Sequence, residues 1–495
     1  MDTMNLTPKK INALKPLAAA VLGSLSVSAY AAKVEVTPLV DAGVTYTDNV
    51  NLEGSDTETS TVGTTSAGLK AKVKGNGGSV DLTYKGTQAF YSHDSDRNDF
   101  FNELNFSAKN KLGRSGFSGK VNADISEVAR SQARNANNDF LTGDTVSNRN
   151  AGVGVDYTNG NRGNVGIKGG VDAKVRDAAD DEGNSYSYGA NLDLSDGRQV
   201  DNYFWSANYD YDRDESREDD RYNQSHRIQG KLGLAQYEGF APFLDYRGEQ
   251  YDEKGRDGDA DRERKYASVG PGLRYYIDRR SYFELTYNHV VEGDQDDYWG
   301  GKVNLKPTPR TTIYFEYEQR FFGDSYTFRL KHRSKRWTNS INYRETPSSF
   351  DREFFSGDED LANYSINRTL DWTSSLALKR GSFSVSIRAQ EKERDDNDDG
   401  KTTNDDSYGV NAKYSHQLTR TTRLSASANY DQYKFDRTVG DDQKDYYRTF
   451  ELRANHSFRK SLSIDYGYRF ANRSSNIENF KYDENRVFAN LTKRF

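Results

Sequence analysis

"VTYTDNVNL", residues Val44 to Leu52, is the stretch from which the fold can be read. It continues a segment in which Val36, Val40, Ala42, Val44 and Tyr46 share one parity, while Asp41, Gly43, Thr45 and Thr47 share the other. Successive side chains of a β-strand point to opposite faces, so this run predicts a strand with one apolar and one polar face. An aromatic tips the strand, and the pattern then breaks at Asp48-Asn49.

The same layout recurs along the chain. Ala67, Leu69, Ala71 and Val73 alternate with Lys70, Lys72 and Lys74, and after the turn at 75–78 Val80, Leu82 and Tyr84 resume. Tyr186, Tyr188, Ala190, Leu192 and Leu194 share a parity, as do Tyr203, Trp205, Ala207, Tyr209 and Tyr211. Ile313, Phe315 and Tyr317 oppose Glu316 and Glu318. Near the end, Leu462, Ile464, Tyr466, Tyr468 and Phe470 oppose Asp465 and Arg469.

Composition alone would suggest something else. The chain has 495 residues, 29% of them charged, and a mean hydropathy of -0.97, values typical of a disordered polypeptide. Against this stand 34 Tyr, 25 Phe, only 8 Pro and the residue-by-residue alternation, none of which disorder produces. After position 31 no apolar run reaches the roughly 20 residues of a membrane-spanning helix. That does not exclude a membrane, because a transmembrane barrel alternates lipid-facing and lumen-facing residues and its hydropathy averages away.

Short turns fall near 75–78, 112–116, 159–163, 196–199, 237–239, 278–280, 307–310, 333–336, 379–382, 419–421 and 459–461. Longer Asp/Asn-rich segments separate them, such as 212–220, 252–264, 345–360, 395–406 and 436–445. Short turns on one side and long loops on the other mark an outer-membrane barrel. The turns join strands into an antiparallel up-and-down β-barrel of about 24 strands, within roughly 22 to 26. A soluble sheet would bury Val, Ile and Leu throughout its apolar face. Here that face carries Ala and Leu in mid-strand and aromatics toward the ends, as membrane girdles do.

Lys9, Lys10 and Lys15 precede an apolar stretch from Pro16 to Val27 that ends in Ala29-Tyr30-Ala31, the pattern of a secretory signal peptide. The expected organisation is a signal peptide over 1–31 and one barrel domain over 32–495. Removing three Lys and one Asp with the first segment takes the net charge from -6 to -8. At the other end, "VFANLTKRF" places Val487, Ala489, Leu491 and Phe495 on one parity, with Lys493 among them. This resembles the C-terminal signal by which barrels are recognised by their assembly machinery. A Lys near the interface can snorkel to water.

Little in the chain speaks for catalysis. Cysteine is absent, which removes thiol nucleophiles and Cys-based metal sites. No G-x-S-x-G, H-E-x-x-H or P-loop occurs, and His226, His289, His416 and His456 fall on the apolar parity. A barrel phospholipase with a Ser/His pair is the remaining enzymatic alternative. No basic patch points to nucleic acid. Asp395, Asn397 and Asp399 stand in a D-x-N-x-D-G run with Asp406 at the twelfth position, the first half of a calcium loop. In so acidic a chain a solvated loop is the simpler reading. Divalent ions could still bridge it to lipopolysaccharide phosphates. No other cofactor is expected.

The polar parity holds Lys70, Lys72, Lys74, Arg227, Lys231, Glu316, Glu318, Arg329, Lys331, Arg388, Lys413, Glu451, Arg453, Asp465 and Arg469. Facing charges of both signs can hold a wide wall in shape, or they can contact a hydrated polymer. Strands about 4.8 Å apart and tilted by about 40° predict roughly 45–50 Å between opposite backbones, wider than nutrient diffusion needs.

Tyr46-Thr47-Asp48-Asn49-Val50, closing the first strand, is similar to the start of outer-membrane β-barrel porins encoded with exopolysaccharide systems, including those at biofilm and PEP-CTERM/exosortase loci. The resemblance implies a passive pore in the Gram-negative outer membrane. Its expected partners are outer-membrane lipid and lipopolysaccharide, the assembly machinery and a polysaccharide-export apparatus. Three functions compete: an exit channel for exopolysaccharide, a general diffusion porin, and a structural sleeve around a partner protein.

Overall fold

The computed structural model describes residues 33–131, 135, 139–161, 163–234, 239–254, 261–278, 280–348, 364–395, 402–436, 442–459 and 461–495. The segment read as a signal peptide lies outside them. The first six strands are β1 (Lys33–Thr47), β2 (Ser60–Lys74), β3 (Gly78–Tyr91), β4 (Asp99–Lys111), β5 (Phe117–Ala129) and β6 (Thr145–Thr158). Then come β7 (Val165–Ala178), β8 (Ser185–Asp196), β9 (Tyr203–Ser216), β10 (Tyr222–Leu234), β11 (Gly239–Lys254) and β12 (Arg262–Asp278). They continue with β13 (Ser281–Glu292), β14 (Tyr298–Thr308), β15 (Thr311–Arg320), β16 (Gly323–Ser334), β17 (Trp337–Ser348) and β18 (Ser365–Leu378). The last are β19 (Gly381–Asp395), β20 (Thr402–Gln417), β21 (Thr422–Phe435), β22 (Gln443–Arg459), β23 (Leu462–Ser475) and β24 (Tyr482–Arg494).

Each strand pairs antiparallel with its sequence neighbours, and β24 pairs with β1 from Leu39–Arg494 to Thr47–Arg486, closing a 24-stranded barrel. Closure removes the unpaired edges that a long sheet would otherwise present. The register keeps one parity on one face all the way round. Val44 stands opposite Ala489, Tyr46 opposite Val487, Val487 opposite Tyr468, and Tyr468 opposite Leu452.

The apolar parity lies on the outside. Val36, Leu452 and Val487 keep 52%, 47% and 55% of their surface exposed, values that place them on the outer wall and not in a core. Aromatics flank this belt, with Tyr46, Phe90, Tyr186, Trp299 and Tyr408 toward the long-loop end. Phe117, Phe240, Tyr275, Phe383 and Tyr414 flank it toward the short-turn end. An apolar band between two aromatic girdles is what a bilayer selects.

The polar segments read as long loops are strand at their ends. β9 runs to Ser216, β11 to Lys254 and β17 to Ser348, while β20 starts at Thr402 and β22 at Gln443. About 9 to 11 residues suffice to cross a bilayer, so these strands of 12 to 17 residues project beyond it. Above the belt both faces are polar, so alternation ends while the sheet continues. Cross-strand ion pairs sustain it there: Arg264 to Glu253 at 2.9 Å, Arg368 to Glu393 at 2.6 Å and Arg394 to Asp405 at 2.7 Å. One connection at this end is only Phe321-Phe322, and Gly323 supplies the positive φ of 97° that so tight a hairpin requires.

Candidate functional site: the barrel lumen

Register places every polar-parity residue named above on the inner face. The wall divides into two kinds. From β9 to β15 the inner side chains are locked together. Lys231 of β10 reaches Glu284 of β13 at 2.7 Å, and Arg274 of β12 meets the same carboxylate at 2.5 Å. Lys302 pairs with Glu316 at 3.0 Å, and Arg247 of β11 pairs with Glu318 of β15. Arg320, at the tip of β15, forks onto both oxygens of Glu249 at 3.0 and 3.1 Å and donates to Tyr251 Oη at 2.9 Å.

These contacts correct the round, 45–50 Å pore. β11 and β15 are four strands apart, about 19 Å along a flat sheet, yet side chains bridge them directly. The wall therefore folds back on itself here. Tyr364, just before β18, meets Tyr251 of β11 edge-to-face with ring centroids 5.1 Å apart, and its hydroxyl lies within hydrogen-bonding reach of Ser225 of β10. In a round barrel of this strand number, seven strands of arc would hold those walls roughly 35 Å apart. The lumen is pinched from this side, and burial of Tyr251 to 1% exposure shows how tightly.

A second inward element comes from the β5–β6 connection. The Asp139 carboxylate is held by Arg486 of β24 at 2.7 Å and Arg469 of β23 at 2.8 Å. Phe140 and Leu141 pack on a buried cluster of Val50, Val62, Ala89, Tyr91 and Phe101 inside β1 to β4, and Tyr91 Oη donates to the Leu141 carbonyl at 2.9 Å. Burial alone would raise the Asp139 pKa, but the two guanidiniums outweigh it and hold the carboxyl at about 2. The connection thus lies across the inside of β23, β24 and β1 to β4.

Elsewhere the inner face is open. Lys72 and Arg388 keep 60% and 56% of their side chains exposed, with Asp81 and Asp371 each 3.6 Å away. Arg453 pairs with Glu451 at 3.1 Å, while within the locked stretch Arg227 pairs with Asp212 at 2.6 Å and, at its border, Arg329 lies over the Tyr314 ring. Among the described residues no ion pair reaches Lys70, Lys74, Lys331, Lys413 or Asp465.

The alternation missed the inward aromatics. The Arg274 guanidinium lies 4.0 Å from the Phe204 centroid and 4.6 Å from that of Tyr282, with Phe243 and Tyr276 beyond. The signal was present: Tyr203-Phe204-Trp205, Tyr275-Tyr276 and Tyr282-Phe283 each put aromatics on consecutive positions, so one must face inward. Asp139, Arg247, Glu249 and Arg320 carried no local signal.

Of the calcium-loop residues, Asn397 and Asp399 lie outside the described residues, Asp395 ends β19, and Asp406 sits within β20 opposite Glu391. Each of four outward histidines has a polar neighbour: His226 with Tyr209 at 2.9 Å, His289 with Asp297 at 2.9 Å, His456 with Thr422 at 2.9 Å, and His416 with Tyr414 at 3.3 Å. Ser60 Oγ meets His93 Nδ1 at 2.8 Å, but among the described residues no carboxylate meets the buried His93 Nε2 to orient the ring. Val487, Ala489 and Leu491 line the outer face of β24, and Phe495 is exposed at its end.

No curated protein matches this chain. Among solved structures, the FrpB iron transporter from Neisseria meningitidis is 10% identical, with a TM-score of 0.46 over 93% of this chain and 81% of that one. The siderophore receptor PirA from Pseudomonas aeruginosa is 11% identical, with a TM-score of 0.38 over 93% and 80%. An anion-selective porin from Comamonas acidovorans is 10% identical, with a TM-score of 0.33 over 94% and 100%. Residues 364–495, which hold β18 to β24 and complete the barrel, match the family model described as "Putative beta-barrel porin 2".

Proposed function

We propose that the barrel is a passive channel of a Gram-negative outer membrane through which a hydrated exopolysaccharide leaves the cell. The long-loop end faces outward and the short-turn end faces the periplasm. One observation carries this reading: on the short-turn half of the inner wall, away from the Asp139 connection, Lys70, Lys72, Lys74, Arg388 and Lys413 are exposed to water. A wet wall of mobile charges offers many weak contacts, which suit a polymer that must bind and move on. The chemistry is non-catalytic, and the likeness of Tyr46–Val50 to porins of exopolysaccharide systems points the same way.

The pinch at Tyr251–Tyr364 and the inward connection at Asp139 favour a second reading, a diffusion porin for small solutes, because both narrow the path. The sleeve reading draws less support, since the barrel's own side chains occupy β9 to β15. Assembly would use the outward Val487, Ala489, Leu491 and terminal Phe495, and lipopolysaccharide would meet the projecting strand ends. Deletion in the native host tests the choice. Loss of surface polysaccharide with small-solute permeability intact supports the export channel. Normal polysaccharide with reduced solute uptake supports the porin.

A further inference from the structure

The charges of the inner wall are unevenly spread. Along β10 to β15, Asp245, Glu249, Glu253, Glu284, Glu316 and Glu318 are each closed against a base. On the short-turn half of β2 to β7 the balance tips to lysine. Lys70, Lys72 and Lys74 climb one column of β2 from the rim, and Lys109 and Lys111 stand on β4, about 10 Å away across β3. Lys168 continues the row on β7. All six are exposed.

The neighbouring acids offset them only in part: Glu35, opposite Lys72, is paired with Lys33 at 2.5 Å, and Asp193 stands opposite Lys168. Asp81 lies 3.6 Å from Lys72, and Asp156 is shared between Lys109 at 3.6 Å and Lys120 at 2.9 Å. Asp172 is likewise divided between Lys120 at 3.8 Å and Lys174 at 3.3 Å. Among the described residues no ion pair reaches Lys70, Lys74, Lys111 or Lys168. A net acidic protein has thus placed a basic surface at one mouth of its lumen, on the wall that its own side chains leave open.

We propose that this mouth is a capture site for an acidic polysaccharide, a chain bearing carboxylates at intervals that several lysines engage at once. The proposal rests on the polymer-channel reading and adds to it the charge of the cargo and the strands that receive it. Two columns of ammonium groups, each on a flexible stem, match repeated anionic groups better than a single small anion. Simultaneous engagement multiplies weak contacts into useful affinity, while each contact stays weak enough to release. Focusing by a charged cleft also raises the local concentration of a polyanion at the mouth.

The test is binding to the purified full-length barrel in nanodiscs, followed by fluorescence anisotropy, which needs no open pore. The probes are a labelled galacturonate decamer, a neutral maltodextrin of the same length, and monomeric galacturonate as competitor. The decamer is expected to bind at least ten-fold more tightly than the maltodextrin, to displace at least a hundred-fold less readily with monomer than with unlabelled decamer, and to weaken with salt. K70E/K72E/K74E should lower decamer affinity at least ten-fold. K265E/R448E, on the outer face at the long-loop end, should leave it unchanged. Heat-modifiable migration checks folding, and K70Q/K72Q/K74Q replaces the triple reversal if that does not fold.

Equal binding of the neutral polymer overturns the proposal, as does equal competition by monomer, or an equal loss in both charge variants. The two readings fail separately. A deletion strain that keeps its polysaccharide while the decamer binds overturns export and leaves the acidic-ligand site. Lost polysaccharide with no decamer binding does the reverse.

Discussion

Asp48 and Asn485, 437 residues apart in the chain, are joined by three hydrogen bonds: Asp48 N–H donates to the Asn485 carbonyl at 3.2 Å, Asp48 Oδ1 accepts from the Asn485 backbone N–H at 2.7 Å and Oδ2 from its Nδ2 at 2.8 Å. Asn49 extends the clasp, donating from Nδ2 to the carbonyls of Glu53 at 2.7 Å and Asp483 at 2.9 Å and accepting from Glu53 N–H at 2.9 Å. Thr47 adds a bond to Glu484 at 2.7 Å. Asp48-Asn49 therefore does not simply leave the sheet for solvent. It turns back to tie the first strand to the last, and Asn49 and Val50 end almost fully buried.

The clasp predicts a graded loss. Asn49→Ala removes three bonds at a buried position and strands two carbonyls and an N–H, which should cost about 2–4 kcal/mol. Asp48→Ala, at a more exposed position, should cost about 1 kcal/mol. Urea unfolding of the lipid-embedded barrel reads both. Equal, small effects would mean that strand pairing alone closes the barrel.

Asp139 predicts an acid-stable latch. Its folded pKa of about 2 lies below the ordinary carboxylate value, so its contribution is present in full above that ordinary value and is lost as pH falls through 2. The linkage is on the order of 2 kcal/mol. Leu141 N–H donates to Asp139 Oδ1 at 3.0 Å, so its hydrogen exchange reports the latch. Once corrected for intrinsic chemistry, that exchange should stay flat from pH 7 to 5. Asp139→Ala should speed it at least ten-fold and raise single-channel conductance.

What was legible follows from which forces act locally. Alternation records two different solvents on the two faces of one strand, so Val44 beside Thr45 and Leu452 beside Glu451 declare their faces without a partner. Strand number followed from the turns. The pinch was not legible, because Arg320 and Glu249 stand 71 residues apart and each looks like any other lumen charge. Strand ends were misplaced for a related reason: once both faces are polar, the period vanishes although Arg394–Asp405 and its like still hold the ladder.

The fold-back of β11 to β15 predicts asymmetric mutant costs. Arg320→Met leaves Glu249, 3% exposed in its side chain, without its cation and should destabilise by about 3–5 kcal/mol. The double variant Glu249→Met with Arg320→Met removes both charges together and should recover most of that loss, because desolvating the pair was itself costly. Unfolding midpoints of the two variants decide it. If the double variant is as unstable as the single, the ion pair is a net contributor to the pinch.

Leu452 and Glu451 adjoin in β22 but face opposite sides, which gives the most direct test of the wall. Leu452 pairs with Tyr468 and Ala426 on the outer face, and Glu451 with Arg469 and Ser427 on the inner. An Arg set into the lipid face near mid-belt costs about 2–4 kcal/mol, less toward the interfaces, whereas lumen substitutions mainly tune selectivity. Leu452→Arg should therefore impair assembly and lower unfolding stability by that amount. Glu451→Arg loses an ion pair with Arg453 and faces Arg469, yet water screens both, and its cost should stay near 1 kcal/mol or below. Heat-modifiability and urea midpoints in one lipid measure the pair. A soluble sheet with its apolar face buried in protein would also reject the Leu452 change, so a second lipid separates the two cases. Shorter-chain lipids bring the interface closer to position 452 and should shrink its penalty, leaving Glu451→Arg unmoved.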